Sequence, residues 1–218
     1  MTVTRPVQMS LTGDNDRPVG PILPSVFRGT NADLMAAVAP LYLTGSVLDV
    51  TYGEGKWWDR FTPDPFTFHD LEKVDGVDFR ALPEGTSSVD TVCFDPPYVP
   101  QGGTRNSGAT DGEANFRGRF GLVQQRSLGE LNDMNLAGLA ECARVASTWL
   151  LVKCCDFVNG GRFVLGHLTM LDAARELGLT PHDLIVHATG AGPGGHNIYE
   201  VLRARRSHSY LLVFEVRA

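Results

Sequence analysis

No apolar run in this chain approaches the roughly 18 residues needed to cross a bilayer, and no charged-then-apolar leader opens it. The expectation is therefore a cytoplasmic protein with no membrane span and no secretory signal. An excess of basic charge is also missing: 19 Lys and Arg stand against 25 Asp and Glu, a net charge of -6. That excludes coating nucleic acid over the whole surface and leaves only local basic patches for any phosphate contact. The four cysteines, Cys93, Cys142, Cys154 and Cys155, show no paired C-x-x-C spacing. They read as reduced core thiols rather than metal ligands, and no metal is expected. There is no internal repeat and no G-x-G-x-x-G, since the residue three after Gly55 is Trp58, which argues against a dinucleotide-binding dehydrogenase.

What is present suits one α/β domain. An apolar content of 43% over 218 residues can bury a single sizeable core. Residues 1–24, rich in Pro, Gly and Asp without periodicity, read as a loosely ordered arm, and the domain is expected over 25–218. Thr30 or Asn31 caps a helix in which Leu34, Val38 and Leu41 recur, closed by Gly45. Val47 to Val50, Phe66 to His69, a short stretch around Val77, and Val89 to Phe94 read as strands, with the last three ending in Asp70, Asp78 and Asp95. Acids at strand ends point to one functional edge.

Residues 99–131 show no period and are long for a loop inside a compact domain, a pattern of functional lids or disordered segments. Leu136, Leu139, Ala143 and Ala146 then mark a helix, Trp149 to Val152 a strand, and Leu168, Leu171, Ala174 and Leu177 a helix ended by Gly178. Leu184 to Val186 and Tyr210 to Val216 complete the set, joined across a Gly-rich stretch from Gly190 to Gly195. Strands alternating with helices imply a mainly parallel sheet covered on both faces.

In such sheets ligands bind beyond the carboxyl ends of the strands. Asp49 and the turn Gly53-Glu54-Gly55 fall there, and glycine lets backbone approach a ligand closely. Asp70 follows at roughly the 20-residue spacing at which a strand-end acid reaches a ribose. Asp78-Phe79 adds an acceptor beside an apolar ring. Each of these also has an ordinary explanation as a tight turn or a cap. After the strand Val89 to Phe94, Asp95-Pro96-Pro97-Tyr98 is different in kind: two prolines fix φ and remove two donors, so the corner presents acceptors, next to a flat ring.

Asp90 to Tyr98 resembles the D-P-P-Y motif of class I S-adenosylmethionine-dependent methyltransferases that act on amino nitrogens of DNA, adenine-N6 or cytosine-N4. Asp49 to Gly55 resembles their D-x-x-x-G-x-G cofactor motif, and Arg206 to Phe214 their final hairpin, so the likeness covers residues 25–218. The compact form is similar to phage-encoded members. Two departures stand out: Val50-Thr51 replaces the Pro-Phe common after the first aspartate, and no segment fits a separate target-recognition domain.

The resemblance implies a Rossmann-like fold with a mostly parallel seven-stranded sheet whose last strand runs antiparallel. It implies S-adenosylmethionine as cofactor, held by Asp49, Thr51, Gly53, Gly55, Asp70, Asp78 and Phe79, and Asp95, Pro96, Pro97 and Tyr98 as the catalytic motif. The partner it implies is DNA, with adenine favoured because the motif begins with Asp. RNA is the alternative polymer, since compact ribosomal RNA methyltransferases share D-P-P-[YF], and a catalytically silent binding module is the alternative class. Arg105, Arg117, Arg119 and Arg126 in the long loop, and Arg203, Arg205 and Arg206 near the C-terminus, are the candidate phosphate contacts; arginines on loops are also commonly just solvated. Trp57 and Trp58 are expected to pack.

Overall fold

The computed structural model describes residues 23–98, 127–188 and 206–216. Nine strands are found among them: β1 Val26–Arg28, β2 Val47–Asp49, β3 Phe66–Phe68, β4 Val89–Phe94, β5 Ala146–Cys154, β6 Phe157–Asn159, β7 Arg162–Val164, β8 Thr180–Ala188 and β9 His208–Glu215. Among the described residues the helices are α1 Asn31–Tyr42, α2 Leu128–Val145 and α3 Gly166–Glu176, with one 3-10 turn at Lys56–Trp58. Seven strands form one sheet in the order β1-β8-β9-β5-β4-β2-β3. All its pairings are parallel except those of β9, which runs antiparallel to both β5 and β8. This is the expected Rossmann-like α/β sheet with its last strand reversed.

Side-chain alternation along the strands divides the core in two. Leu48, Val92, Phe94, Leu150, Val152, Leu212 and Phe214 pack on one face against Leu139, Cys142 and Val145 of α2 and Met170 and Ala174 of α3. Val47, Cys93, Leu151, Ile185, Leu211 and Val213 pack on the other against Leu34, Met35, Val38 and Tyr42 of α1, with Trp57 and Trp58. Both faces are covered, which is why the central strands read as unbroken apolar runs.

Helix α1 starts with a capping box: Asp33 N donates to Thr30 Oγ1 at 3.1 Å and Thr30 N to Asp33 Oδ2 at 3.0 Å. Ser127 and Glu130 make the same box at α2. That box ends the long loop sooner than expected: residues 127–131 belong to the start of α2, and 99–126 lie outside the described residues. The expected arm is likewise outside, apart from residues 23 and 24.

Several expectations fail for identifiable reasons. No strand forms around Val77; residues 71–80 are turns and irregular chain. The buried His69 binds Asp75 through Nδ1 at 2.5 Å and Glu84 through Nε2 at 2.7 Å, while Asp75 Oδ1 accepts from the amides of Asp70 and Val77, so this segment closes on itself instead of pairing at the sheet edge. Burial opposes charging His69, but the bonds to Glu84 and Asp75 outweigh it and raise its pKa. The seventh strand is β1 instead, paired with β8 at the opposite edge.

Leu41 is 46% exposed because the buried face of α1 centres on Met35, Val38 and Tyr42 and leaves it at the rim. Ala146 is not the end of a helix; it caps α2 in an extended conformation and begins β5. In α2 the buried line is Leu131, Met134, Asn135, Gly138, Leu139, Cys142 and Val145, with Leu136 only half-buried beside it. Leu168 and Leu177 flank the buried line Met170 and Ala174 of α3 and stay exposed. The hairpin β6–β7 is unexpected; Gly160 and Gly161, both with positive φ, make its turn, and this Gly-Gly pair between short apolar runs was the sequence signal for it. The Gly-rich stretch 190–195 lies outside the described residues.

Candidate active site

The carboxyl ends of β2, β4 and β5 lie side by side: β2 pairs with β4 through Asp49↔Cys93, and β4 with β5 through Phe94↔Val152. From this edge the chain leaves β2 into the glycine turn and β4 into the Pro-Pro corner. Gly53 and Gly55 both take left-handed φ, +56° and +69°, and a Cβ on Gly55 would stand 2.5 Å from the Tyr52 hydroxyl. That crowding explains why the second glycine is required.

Asp49 is buried under this turn and accepts from Thr51 N at 2.9 Å and from Trp58 Nε1 at 2.7 Å. Burial pushes its pKa up to about 7, with the charge of Asp95 adding to the effect and the two donors opposing it. Trp58 therefore does more than pack: its indole N–H partners a buried carboxylate, a need that buried Trp residues carry in general.

Thr51 joins the two motifs. Its Oγ1 accepts from the backbone N of Asp95 at 2.7 Å, so the glycine turn and the proline corner are fixed to each other. Val at this position keeps the shape and removes the acceptor. Thr51→Val is expected to lose about 1–3 kcal/mol of stability, since the Asp95 N–H is left without its partner; urea denaturation of the two proteins measures it, and an unchanged midpoint with an unchanged slope counts against the tie.

Asp70 is buried, and its carboxylate accepts three backbone amides: Gly53 at 2.9 Å, Glu72 at 3.0 Å and Lys73 at 2.8 Å. It clamps the glycine turn to the next loop, while Oδ2, with one bond from Gly53, keeps a second lone pair. Asp78 is held by Arg80, whose Nε and Nη2 reach its carboxylate at 2.9 and 2.5 Å; this bonding lowers the pKa of Asp78. The Phe79 ring stacks edge-on to Phe94 at 5.2 Å and closes over Gly138 of α2. The side chains of Asp78 and Phe79 are thus engaged with Arg80 and the core.

At the corner itself, Asp95 keeps partial exposure while being densely surrounded, and Pro96 is buried. Burial drives the pKa of Asp95 up to about 6; Lys153 at the end of β5 pulls it back down, as does the indole N–H of Trp57 beside it, which makes no hydrogen bond of normal geometry. Tyr98 donates its hydroxyl to Asp95 Oδ1. Asn135 of α2 donates to the Pro97 carbonyl at 2.8 Å, and its own Oδ1 is buried without a partner. Among the described residues no donor occupies the Pro96 carbonyl. A cleft beside the corner is lined by Pro97, Tyr98, Asn135, Cys155, Phe157 and Met170, among others.

No protein-family model matches this chain, and no curated protein does. Solved structures of similar shape exist. A protein of Thermus thermophilus described as a DNA modification methylase, complexed with S-adenosyl-L-methionine, is 15% identical, with a TM-score of 0.41 over 80% of this chain and 56% of that one. The chain thus spans little more than half the length of that protein. A SAM-dependent methyltransferase from Aquifex aeolicus is 11% identical, with a TM-score of 0.41 over 78% of this chain and 81% of that one. The cytosine-N4-specific PvuII DNA methyltransferase is 13% identical, with a TM-score of 0.43 over 61% of this chain and 44% of that one.

Of the residues singled out in the sequence, Asp49, Thr51, Gly53, Gly55, Asp70 and Asp95 to Tyr98 gather at one sheet edge. Arg206 lies elsewhere, over the Phe163 ring of the β6–β7 hairpin at 4.1 Å. Arg105, Arg117, Arg119, Arg126, Arg203 and Arg205 lie outside the described residues. Lys153 and Asn135 were not anticipated, nor was the bond that the packed Trp58 makes to Asp49; a lone Lys in the apolar run Trp149 to Cys154 was the available signal for Lys153. Cys93, Cys142 and Cys154 are buried free thiols, and Cys155 is partly exposed. Among the described residues no group of three or more His, Cys, Asp or Glu could hold a metal ion, and no helix is long and apolar enough to cross a membrane.

Proposed function

We propose that this chain is an S-adenosylmethionine-dependent methyltransferase acting on an exocyclic amino group of a nucleobase, adenine N6 in DNA. The observation that carries the reading is the pairing of two acceptors, the Asp95 carboxylate and the Pro96 carbonyl left open by its neighbours, on a corner bonded through Thr51 to a glycine turn. An aromatic amine has its lone pair delocalised into the ring. Two acceptors that take its N–H groups localise density on nitrogen and stabilise the positive charge that grows as the amine is alkylated. Preorganisation by Pro96, Pro97 and the Asn135 bond supplies the alignment that such a displacement needs.

S-adenosylmethionine, when bound, supplies a methyl group already activated on a sulfonium, so no acid is needed at the leaving group. The residues fit that cofactor: Gly53 and Gly55 give the turn its left-handed backbone, with Gly53 the half-buried and Gly55 the buried member, Asp70 Oδ2 has acceptor capacity, and Asp49 and Thr51 hold the turn. Asp78 and Phe79 remain assigned to its adenine, Asp78 sharing its carboxylate with Arg80. Tyr98 supplies a flat ring at the corner against which a base would rest after leaving its stack. The arginines of the loops, with Arg206, are assigned to phosphates. Residues 25–218 act as one catalytic domain.

The test is direct. Purified protein with labelled S-adenosylmethionine is incubated separately with unmethylated DNA and RNA, and the modified nucleoside is identified by mass spectrometry. N6-methyldeoxyadenosine from DNA is the expected product. Label in RNA alone changes the polymer, N4-methylcytosine changes the base, and no cofactor binding by calorimetry would leave only a silent module with this fold.

A further inference from the structure

Lys153 is a buried cation that the reading above has not used. β4 and β5 run parallel and are in register through Phe94↔Val152, so Asp95 and Lys153 leave the ends of adjacent strands side by side, on the face that carries Cys93 and Leu151. Lys153 is 5% exposed. Its Nζ donates to Asn31 Oδ1 at the first turn of α1 and stands 5.7 Å from the centre of the Trp57 ring. An ammonium taken out of water is costly unless a negative charge faces it. Asp95 is the carboxylate whose charge acts on it most strongly, and burial of Lys153, which lowers its pKa, is opposed by that charge.

We propose that Lys153 is a positioning residue of this site: placed on the strand next to the corner and anchored by Asn31, its ammonium keeps Asp95 in the ionised state that accepts the amino group of the substrate. This rests on the function proposed above and deepens it. The other groups facing the pair fit the assignment. From β2, Asp49 repels the charge of Asp95. Tyr98 donates to Asp95, and the Trp57 N–H lies beside it. Burial holds the thiols of Cys154 and Cys155 protonated. On β8, burial lowers the pKa of His187 and the charge of Lys153 adds to that; its Nε2 bonds to the Gly29 carbonyl at 2.9 Å. Among these groups Lys153 is the cation available to balance the two carboxylates.

The experiment compares wild type, Lys153→Met and Lys153→Arg by carboxyl-carbon NMR titration of Asp95, with the resonance assigned from Asp95→Asn. The titration midpoint, about 6 in the wild type, is expected to rise by about one pH unit or more in Lys153→Met and to return towards wild type in Lys153→Arg. The acid limb of methyl transfer should move with it, so that Lys153→Met loses more rate at about pH 6.5 than at about pH 8.5. An unmoved midpoint in Lys153→Met overturns the proposal. Should Lys153→Met fail to fold, Asp95→Asn added to it is expected to restore folding, and failure to do so overturns the proposal as well. The NMR readout needs no activity: a shifted midpoint in a protein that transfers no methyl group refutes the proposed function and leaves the charge pair standing.

Discussion

Replacing Asp95 with Ala is expected to lower methyl transfer by about 10²-fold or more, the size of effect seen when one preorganised polar group is taken from a charge-stabilising site. The loss belongs in kcat rather than in cofactor affinity, because the turn proposed to hold the cofactor is tied to the backbone of residue 95 through Thr51 Oγ1 and not to its side chain. Asp95→Asn is the sharper companion: it keeps the shape and one acceptor but presents an N–H₂ group that competes with the substrate's own. The pH dependence follows from the same residue. Only the ionised carboxylate offers full acceptor strength, and burial has moved its pKa up to about 6, so the wild-type rate is expected to climb with pH through about 6 and level off above it. Near-normal turnover in Asp95→Ala, measured by single-turnover kinetics, would refute the assignment.

Phe94→Ala is expected to cost about 3–5 kcal/mol of stability, the range for truncating a buried aromatic ring. Phe94 is fully buried, and its ring meets Phe79 edge-on at an interplanar angle of 62°. Helix α2 comes so close here that a Cβ on Gly138 would lie 2.8 Å from Phe94 and 2.5 Å from Phe79. A lost ring therefore opens a cavity that the backbone of α2 and β4 cannot simply close. Because Phe94 directly precedes Asp95, the same change loosens the corner, and activity should fall even at temperatures where the variant is folded. Urea denaturation gives the stability change; a loss under about 1 kcal/mol would mean that the sheet and α2 relax into the space far more readily than this packing allows.

Much of the architecture was legible because it depends on local pattern. The runs Val47 to Val50 and Val89 to Phe94, bounded by glycine and proline, could only be buried strands, and the Thr30 cap announced α1. The Val77 stretch misled because a short apolar run says nothing about whether a partner edge is free: His69, reaching Asp75 and Glu84, closed that segment before it could pair. Val26–Arg28 pointed the other way, an ordinary triplet that became a strand because β8 offered it an edge.

At the site the division is similar. Asp49, Gly53, Gly55 and Asp95 to Tyr98 could be singled out because backbone conformation and donor count are properties of residue type: glycine permits left-handed φ and proline removes a donor wherever they stand. By itself the sequence determined a doubly covered parallel sheet, a glycine turn after one strand and a proline corner rich in acceptors after another. Only the tertiary structure decided that these two meet through Thr51, that Asp78 shares its carboxylate with Arg80 while Phe79 packs on Phe94, and that Lys153 ends beside Asp95. The reason is physical: electrostatic coupling and desolvation depend on distances between residues far apart in the chain, and those distances exist only once the sheet has set its register.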